Sequence, residues 1–146
     1  MPSDTQTAPV SKKGLWVGRI MSTLVILFLA FDVVFKFVTP APPPVVEAMA
    51  HLGWSLSLAP VLGIILLVST ALYVIPITSV LGAILLTGYL GGAIATHLRV
   101  GDPLFSHVLF PTYLGVLLWG GLYLREPRLR ALFPLRSPQA LLVSLF

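Results

Sequence analysis

The sequence predicts an all-α integral membrane protein, a four-helix bundle with a short outer-surface helix between its first and second spans. Three observations lead there. Of 146 residues, 57% are hydrophobic and only 10% charged, with a mean hydropathy of +0.98, whereas a soluble domain carries about 25% charged residues. The chain contains four apolar runs, each close to the ~20 residues that cross a ~30 Å hydrocarbon core as a helix. The basic residues crowd onto one side of the topology those runs define.

Residues 1–14 are polar, small and proline-containing, and read as a disordered cytoplasmic tail. The first span runs from about Leu15 to Val38. Lys12 and Lys13 before an apolar core resemble a signal peptide, but no small-x-small cleavage site follows, and Asp32 and Lys36 continue a helical spacing. The span is therefore read as retained. The prolines of TPAPPP, 39–44, end it outside the membrane, because they remove donors and force extended backbone. In VVEAMAHLG, 45–53, the residues Val45, Val46, Met49 and Leu52 share one helical face, and Gly53 stops it. This segment is too short to span and too apolar for an open loop, which suits a helix lying on the outer surface.

The second span runs from about Leu58 to Ile75, with Pro60 in its first turn and Pro76 at its exit. A short connection makes it an antiparallel hairpin with the third span, about Ser79 to His97. There Gly88 and Gly92 form G-x-x-x-G, Thr96 continues that face, and Gly91 and Ala95 lie beside it. Such faces let helix backbones approach closely, which predicts packing inside the bundle, with a homodimer interface as the other use. In the turn LRVGDP, 98–103, Asp102 reads as an N-cap and Pro103 as a first-turn proline. The fourth span, about Leu104 to Leu124, is expected to kink at Pro111. Residues 125–146 mix arginines with Leu, Phe and Val and read as a tail resting on the cytoplasmic interface.

Four spans put both termini on one side with Lys12, Lys13, Arg19, Arg125, Arg128, Arg130 and Arg136, leaving only Lys36 and Arg99 of the nine basic residues opposite. The positive-inside rule makes that side cytoplasmic. Trp16, Tyr73 and Tyr123 then fall near the inner interface and Trp54 near the outer one. Asp32, Lys36, Glu47, His51, His97, Arg99, Asp102 and His107 all fall in the outer half or just above it. Any site is therefore expected at the outer mouth.

Several chemistries are excluded. No cysteine is present, which removes disulfides, thiolate nucleophiles and Fe–S ligation. The net charge of +4 sits beside apolar spans, so the bilayer and not nucleic acid is the expected partner. Gly88–Gly92 lies within an apolar helix and follows no strand, unlike a phosphate loop. The three histidines show no H-x-x-x-H or other close ligand spacing, so neither a metal nor a haem site is expected.

Two pairs of residues remain as site candidates. Asp32 and Lys36 stand at i and i+4, acid first, the order that pairs best on a helix. A lone charge at that depth costs roughly 2–3 kcal/mol or more, so Asp32 should face the bundle with Lys36 as partner, the ammonium snorkelling outward. Two readings stay open: a carboxylate that moves a proton or holds a polar head, and a structural ion pair. His97, at the end of the third span, has a bland reading as a dipole-favoured terminus and a sharper one as a ligand contact beside Asp32 or Lys36, with Arg99 following. Secondary candidates are Glu47 and His51, spaced to pair on the surface helix, and His107, one turn into the fourth span.

These residues carry a resemblance. FDVVFK (31–36), the proline-bounded segment ending in Leu52-Gly53-Trp54, LAPVLG (58–63) and above all LGAILLTGYLGGAIATHLRVGDP (81–103) resemble the DoxX-like family of small bacterial membrane proteins, over about residues 15–130. The resemblance implies a four-helix membrane bundle. It also implies an association, among broader relatives, with quinone-linked sulfur oxidation or oxidative-stress complexes, and it carries over no catalytic residue. Function is accordingly expected to be that of a binding or accessory subunit, with an outward-facing polar pocket for a lipid-like or quinone-like ligand. Apolar walls with a few polar groups suit such a molecule. The alternative is a quinone-linked oxidoreductase subunit exchanging protons through Asp32 and His97, with electrons supplied by a cofactor or a membrane-complex partner because the chain encodes no redox centre. A transporter fits less well, since polarity is confined to one side and not centred at midplane.

Overall fold

The computed structural model describes residues 11–132; of the tails expected over 1–14 and 125–146, residues 1–10 and 133–146 lie outside the described residues. Among the described residues the regular structure is entirely helical. Four stretches are long and apolar enough to cross a membrane: Lys12–Phe37, Leu56–Val74, Ser79–Val100 and Leu104–Arg125. The helices are α1 (Lys12–Phe37), α2 (Pro43–His51), α3 (Ala59–Val74), α4 (Ser79–Val100), α5 (Phe110–Arg125) and the short α6 (Pro127–Leu132). Both described chain ends lie at one end of the bundle, and α2 with the turn between α4 and α5 lies at the other, called distal below.

Local chemistry sets the boundaries. α1 begins before the apolar run, because the Ser11 hydroxyl accepts from the Gly14 amide at 3.1 Å and caps the first turn. Residues 12–14 are thus helix, not tail. α4 continues past His97 to Val100, where Gly101 takes a left-handed φ of +75°. Its amide bonds Leu98 O and that of Asp102 bonds His97 O, both at 3.1 Å, which closes the helix end.

The fourth span departs from expectation. Pro111 does not kink a continuous helix. It occupies the first turn of α5, where a missing N–H forfeits no helical bond. Ahead of it, Leu104–Val108 form a wider π-helical turn, with Leu109 N bonded to Leu104 O at 2.8 Å. Asp102 is not an N-cap there, since Pro103 holds that position without a side-chain bond.

The closest packing is at the end carrying the chain termini. A Cβ added to Gly18 would stand 2.7 Å from Leu124 Cβ and 3.0 Å from Gly121 O, and one on Gly121 would stand 2.5 Å from Ser22 Oγ. The backbones of α1 and α5 therefore touch. At the α3–α4 hairpin a Cβ on Gly82 would lie 2.2 Å from Tyr73 N. Tyr73, placed at an interface by the sequence pattern, is instead fully buried. Its hydroxyl donates to Leu118 O at 2.8 Å. With that hydrogen committed, Ser22 Oγ is the donor to Tyr73 across 3.0 Å, so one phenol ties α1, α3 and α5 together. Arg125 closes this end, its guanidinium 5.0 Å from the Tyr73 ring centre and bonded to Tyr73 O at 3.3 Å.

The G-x-x-x-G expectation is corrected. A Cβ at Gly88, Gly91 or Gly92 would meet nothing within 4 Å. The small residues that bring backbones together are Gly18, Ser22, Gly82 and Gly121, whereas the glycine run of α4 leaves space. This contrast makes a prediction for thermal unfolding in a single detergent. Gly82→Ala and Gly121→Val should each cost about 1–3 kcal/mol by overpacking. Gly88→Ala should be neutral or stabilising by up to about 1 kcal/mol, through the helix preference for alanine.

Candidate functional site

The space left by the α4 glycines is part of a cavity of about 720 Å³ at the distal end, bordered by α1 through α5. Its walls are mainly apolar, with Phe28 and Leu29 from α1, Leu62 and Ile65 from α3, Leu90 and Ala93 from α4, and Leu114 from α5. α2 covers it with Val45, Ala48 and the buried Met49, and Leu52 and Trp54 extend that cover. Thus the segment read as a surface helix is the roof of a chamber. Val46, expected on the same apolar face, points away and is exposed.

Three of the four principal candidates line this chamber: Asp32, Lys36 and His97. Lys36 Nζ donates to Asp32 Oδ1 at 2.6 Å, the expected i,i+4 ion pair. Their burial is the reverse of expectation. The Lys36 side chain is 15% exposed and that of Asp32 36%. The cause is helix packing: a Cβ on Gly63 of α3 would lie 3.1 Å from Lys36 Cβ, so the lysine stem is held against α3 and its head turns back to the carboxylate. Asp32 is left as the more open of the two, and only its Oδ1 is committed to Lys36.

His97 reaches the chamber from the last full turns of α4, but its partner is neither Asp32 nor Lys36. Gly101 reverses the chain so that Asp102 folds back, and Asp102 Oδ2 accepts from His97 Nδ1 at 2.6 Å. The other oxygen, Oδ1, accepts from His51 Nε2 of α2, also at 2.6 Å. An ionised carboxylate only accepts, so both imidazoles present N–H to it and the His97 tautomer is set. His97 Nε2 has no partner among the described residues, which makes it the nitrogen available for chemistry. His51 therefore pairs with Asp102 and not with Glu47, which is exposed.

Arg99 lies outside the chamber lining. Its Nη2 donates to Leu52 O, and its guanidinium occupies the space where a side chain on Gly53 would stand, at 3.3 Å. Gly53 also has φ of +70°, a conformation that disfavours any side chain. Two polar ties, His51 to Asp102 and Arg99 to Leu52 O, thus hold the roof to the end of α4. His107 stays beside the cluster, its Nδ1 2.8 Å from Ser106 Oγ and its ring centre 5.9 Å from that of His97. Among the described residues no group of three or more His, Asp or Glu is arranged to hold a metal ion.

Two members of this site carry little sequence signal. Asp102 has the sequence pattern of a helix cap, and only the helix-ending Gly101 between His97 and Asp102 signals that the carboxylate folds back. Tyr89 lines the chamber within α4 and gave no sequence signal, being one aromatic among apolar neighbours.

A profile of the DoxX-like family matches residues 20–121, a range that includes Asp32, Lys36, His97, Arg99 and Asp102. Neither curated proteins nor solved structures give a match.

The Asp102 clamp has a defined pH dependence. The carboxyl is held below the ordinary carboxylate range, first by the His97 hydrogen bond and next by that of His51. A folded-state value below the unfolded one stabilises fully above about pH 4 and is lost as pH falls through the lowered value. Thermal unfolding followed from pH 7 to pH 3 should show a steeper acid loss for the native chain than for Asp102→Asn. Parallel curves would mean that the clamp contributes no stability.

Proposed function

Because the chain belongs to the DoxX-like family and has an apolar chamber with an ion pair and a histidine in its wall, we propose that it is a binding or accessory membrane protein for a long-tailed amphiphile, lipid-like or quinone-like. The chamber carries the reading. Its volume of about 720 Å³ falls within the ~300–1,000 Å³ range of small-molecule sites. Aliphatic walls accept a hydrocarbon tail, while the open Asp32 carboxylate, the Lys36 ammonium and His97 offer both acceptors and donors to a polar head.

The ion pair suits binding because it needs no further charge from the ligand. Lys36 already neutralises Asp32, so an uncharged head can be held by hydrogen bonds without a second charge being buried at membrane depth. A second reading, a quinone-linked oxidoreductase subunit, is favoured by the Asp102–His97 arrangement. The carboxylate on Nδ1 leaves Nε2 of this chamber-lining residue as a proton acceptor, and Asp32 would be the second proton site. In that reading a partner in a membrane complex supplies the electrons.

We also place the termini on the cytoplasmic side of a bacterial inner membrane. At the end of the bundle carrying α6, Lys12, Lys13, Arg19, Arg125, Arg128 and Arg130 outnumber Glu126, which supports that orientation. The cysteine-free sequence makes the check simple. Glu47→Cys should react with a membrane-impermeant maleimide on intact cells, and Lys13→Cys only after lysis.

Ligand binding is checked by native mass spectrometry of the protein extracted in mild detergent. We expect a retained amphiphile of several hundred daltons. Asp32→Asn or His97→Ala should reduce its occupancy at least about tenfold, equivalent to ~1.4 kcal/mol. A bundle that arrives empty, in every mild detergent in which it stays folded, would sink the binding reading.

A further inference from the structure

The chamber has a thick roof, and between α1 and α5 its side wall thins. On the roof side a ligand from water would have to displace α2, which buries Met49 and is tied down by His51 to Asp102 and by Arg99 to Leu52 O. The seam between α3 and α1 is also closed, since a Cβ on Gly63 would meet Phe37 and Lys36 at 3.0–3.1 Å. Toward the end carrying the termini, α1 and α5 are in backbone contact at Gly18, Ser22 and Gly121.

The same seam changes character toward the distal end. One turn from Leu114, α5 begins at Phe110, and the chain beyond it is the π-helical turn. Across the seam there, the rings of Phe28 of α1 and Phe110 of α5 meet edge to face with centres 5.3 Å apart. Both residues line the chamber, and both are 40% exposed. Phe28 also stands on α1 beside Leu24 and Phe31, which are 54% and 60% exposed on the surface that a bilayer would cover. At that ring pair the wall is therefore one aromatic side chain thick, with chamber on one side and the bilayer-facing surface on the other. Aromatic rings at an exposed edge reorient on the nanosecond scale, far faster than a packed, hydrogen-bonded helix is displaced.

We propose that the ligand enters this chamber sideways from the bilayer, through a door between α1 and α5 formed by Phe28 and Phe110, and that it is accordingly an amphiphile dissolved in the membrane and not a water-borne solute. The inference rests on the reading of the chamber as an amphiphile site. Side entry keeps the tail in hydrocarbon throughout, so the hydrophobic cost of exposing it to water never arises. Only the polar head changes surroundings, and Asp32, Lys36 and His97 are the groups that receive it.

The test uses the full chain in phosphatidylcholine nanodiscs, with a long-chain alcohol carrying a mid-chain diazirine as the probe. Phe28→Cys and Phe110→Cys are introduced together into the cysteine-free sequence. The pair is bridged by a short bifunctional methanethiosulfonate that dithiothreitol removes. After brief illumination, labelled residues are located by peptide mass spectrometry. Ala93 and Leu62 report the chamber. Val116 and Ile84, 63% and 54% exposed, report the bilayer surface.

Bridging should reduce chamber labelling at least about tenfold while surface labelling is unchanged, and reduction should restore it. The unbridged variant, which also shows that the double substitution folds, should load faster than the native chain. Chamber labelling that survives the bridge would overturn the side door while leaving the amphiphile site standing. Surface labelling with no chamber labelling in either bridged or unbridged protein would overturn the site itself, and the door with it.

Discussion

Much of this structure follows from how closely α1 can lie against α5. At Gly18 and Gly121 there is no room for a single methyl group, and Ser22 fits only because its hydroxyl has a task, donating to Tyr73. In a membrane the hydrophobic effect gives helices little reason to associate, so backbone contact and interhelical hydrogen bonds must hold them. Here the two coincide. Tyr73 of α3 donates a hydrogen bond to Leu118 O of α5 while accepting one from Ser22 of α1, and both side chains are buried. With three helices fixed at one end, the other end is free to hold a hollow space.

That space would be costly if its polar residues were unpaired, and the chain satisfies them locally. Asp32 and Lys36 neutralise each other within one turn of α1. Asp102 divides its two oxygens between histidines of two separate segments, so the same carboxylate fastens the roof and orients the side chain beneath it. Roof position and imidazole tautomer thereby become linked properties. A change that loosens α2 also disturbs His97, even though the two lie on different helices.

The bundle was legible in the sequence because hydrocarbon imposes length and composition on every span, and prolines mark where spans end. The i,i+4 pair of Asp32 and Lys36 was legible for the same reason, being local to one helix. What the sequence concealed was tertiary. The spacing of Gly88 and Gly92 is identical to that of a helix-packing motif, and nothing within α4 says whether a neighbour comes to fill the face. Gly18 and Ser22 carry the same four-residue spacing without the repeated glycine that draws attention. His51 has a local acid, Glu47, at the right spacing, yet it pairs with Asp102, about fifty residues away, because α2 folds over the end of α4. Pro111 announced a disturbance but not its form, since a helix can accommodate proline by bending or by starting there.

The two sets of glycines have a consequence for how chains of this architecture can diverge. Gly18, Gly82 and Gly121 fix the helix arrangement, and even one added carbon collides with backbone or a packed side chain. Gly88 and Gly92 border the chamber and touch nothing, so their side chains can grow without disturbing any helix contact. Alanine, valine or leucine there would shorten or reshape the hollow while the scaffold stays as it is. The shape of the chamber and the integrity of the scaffold therefore depend on different positions, so one can change without the other.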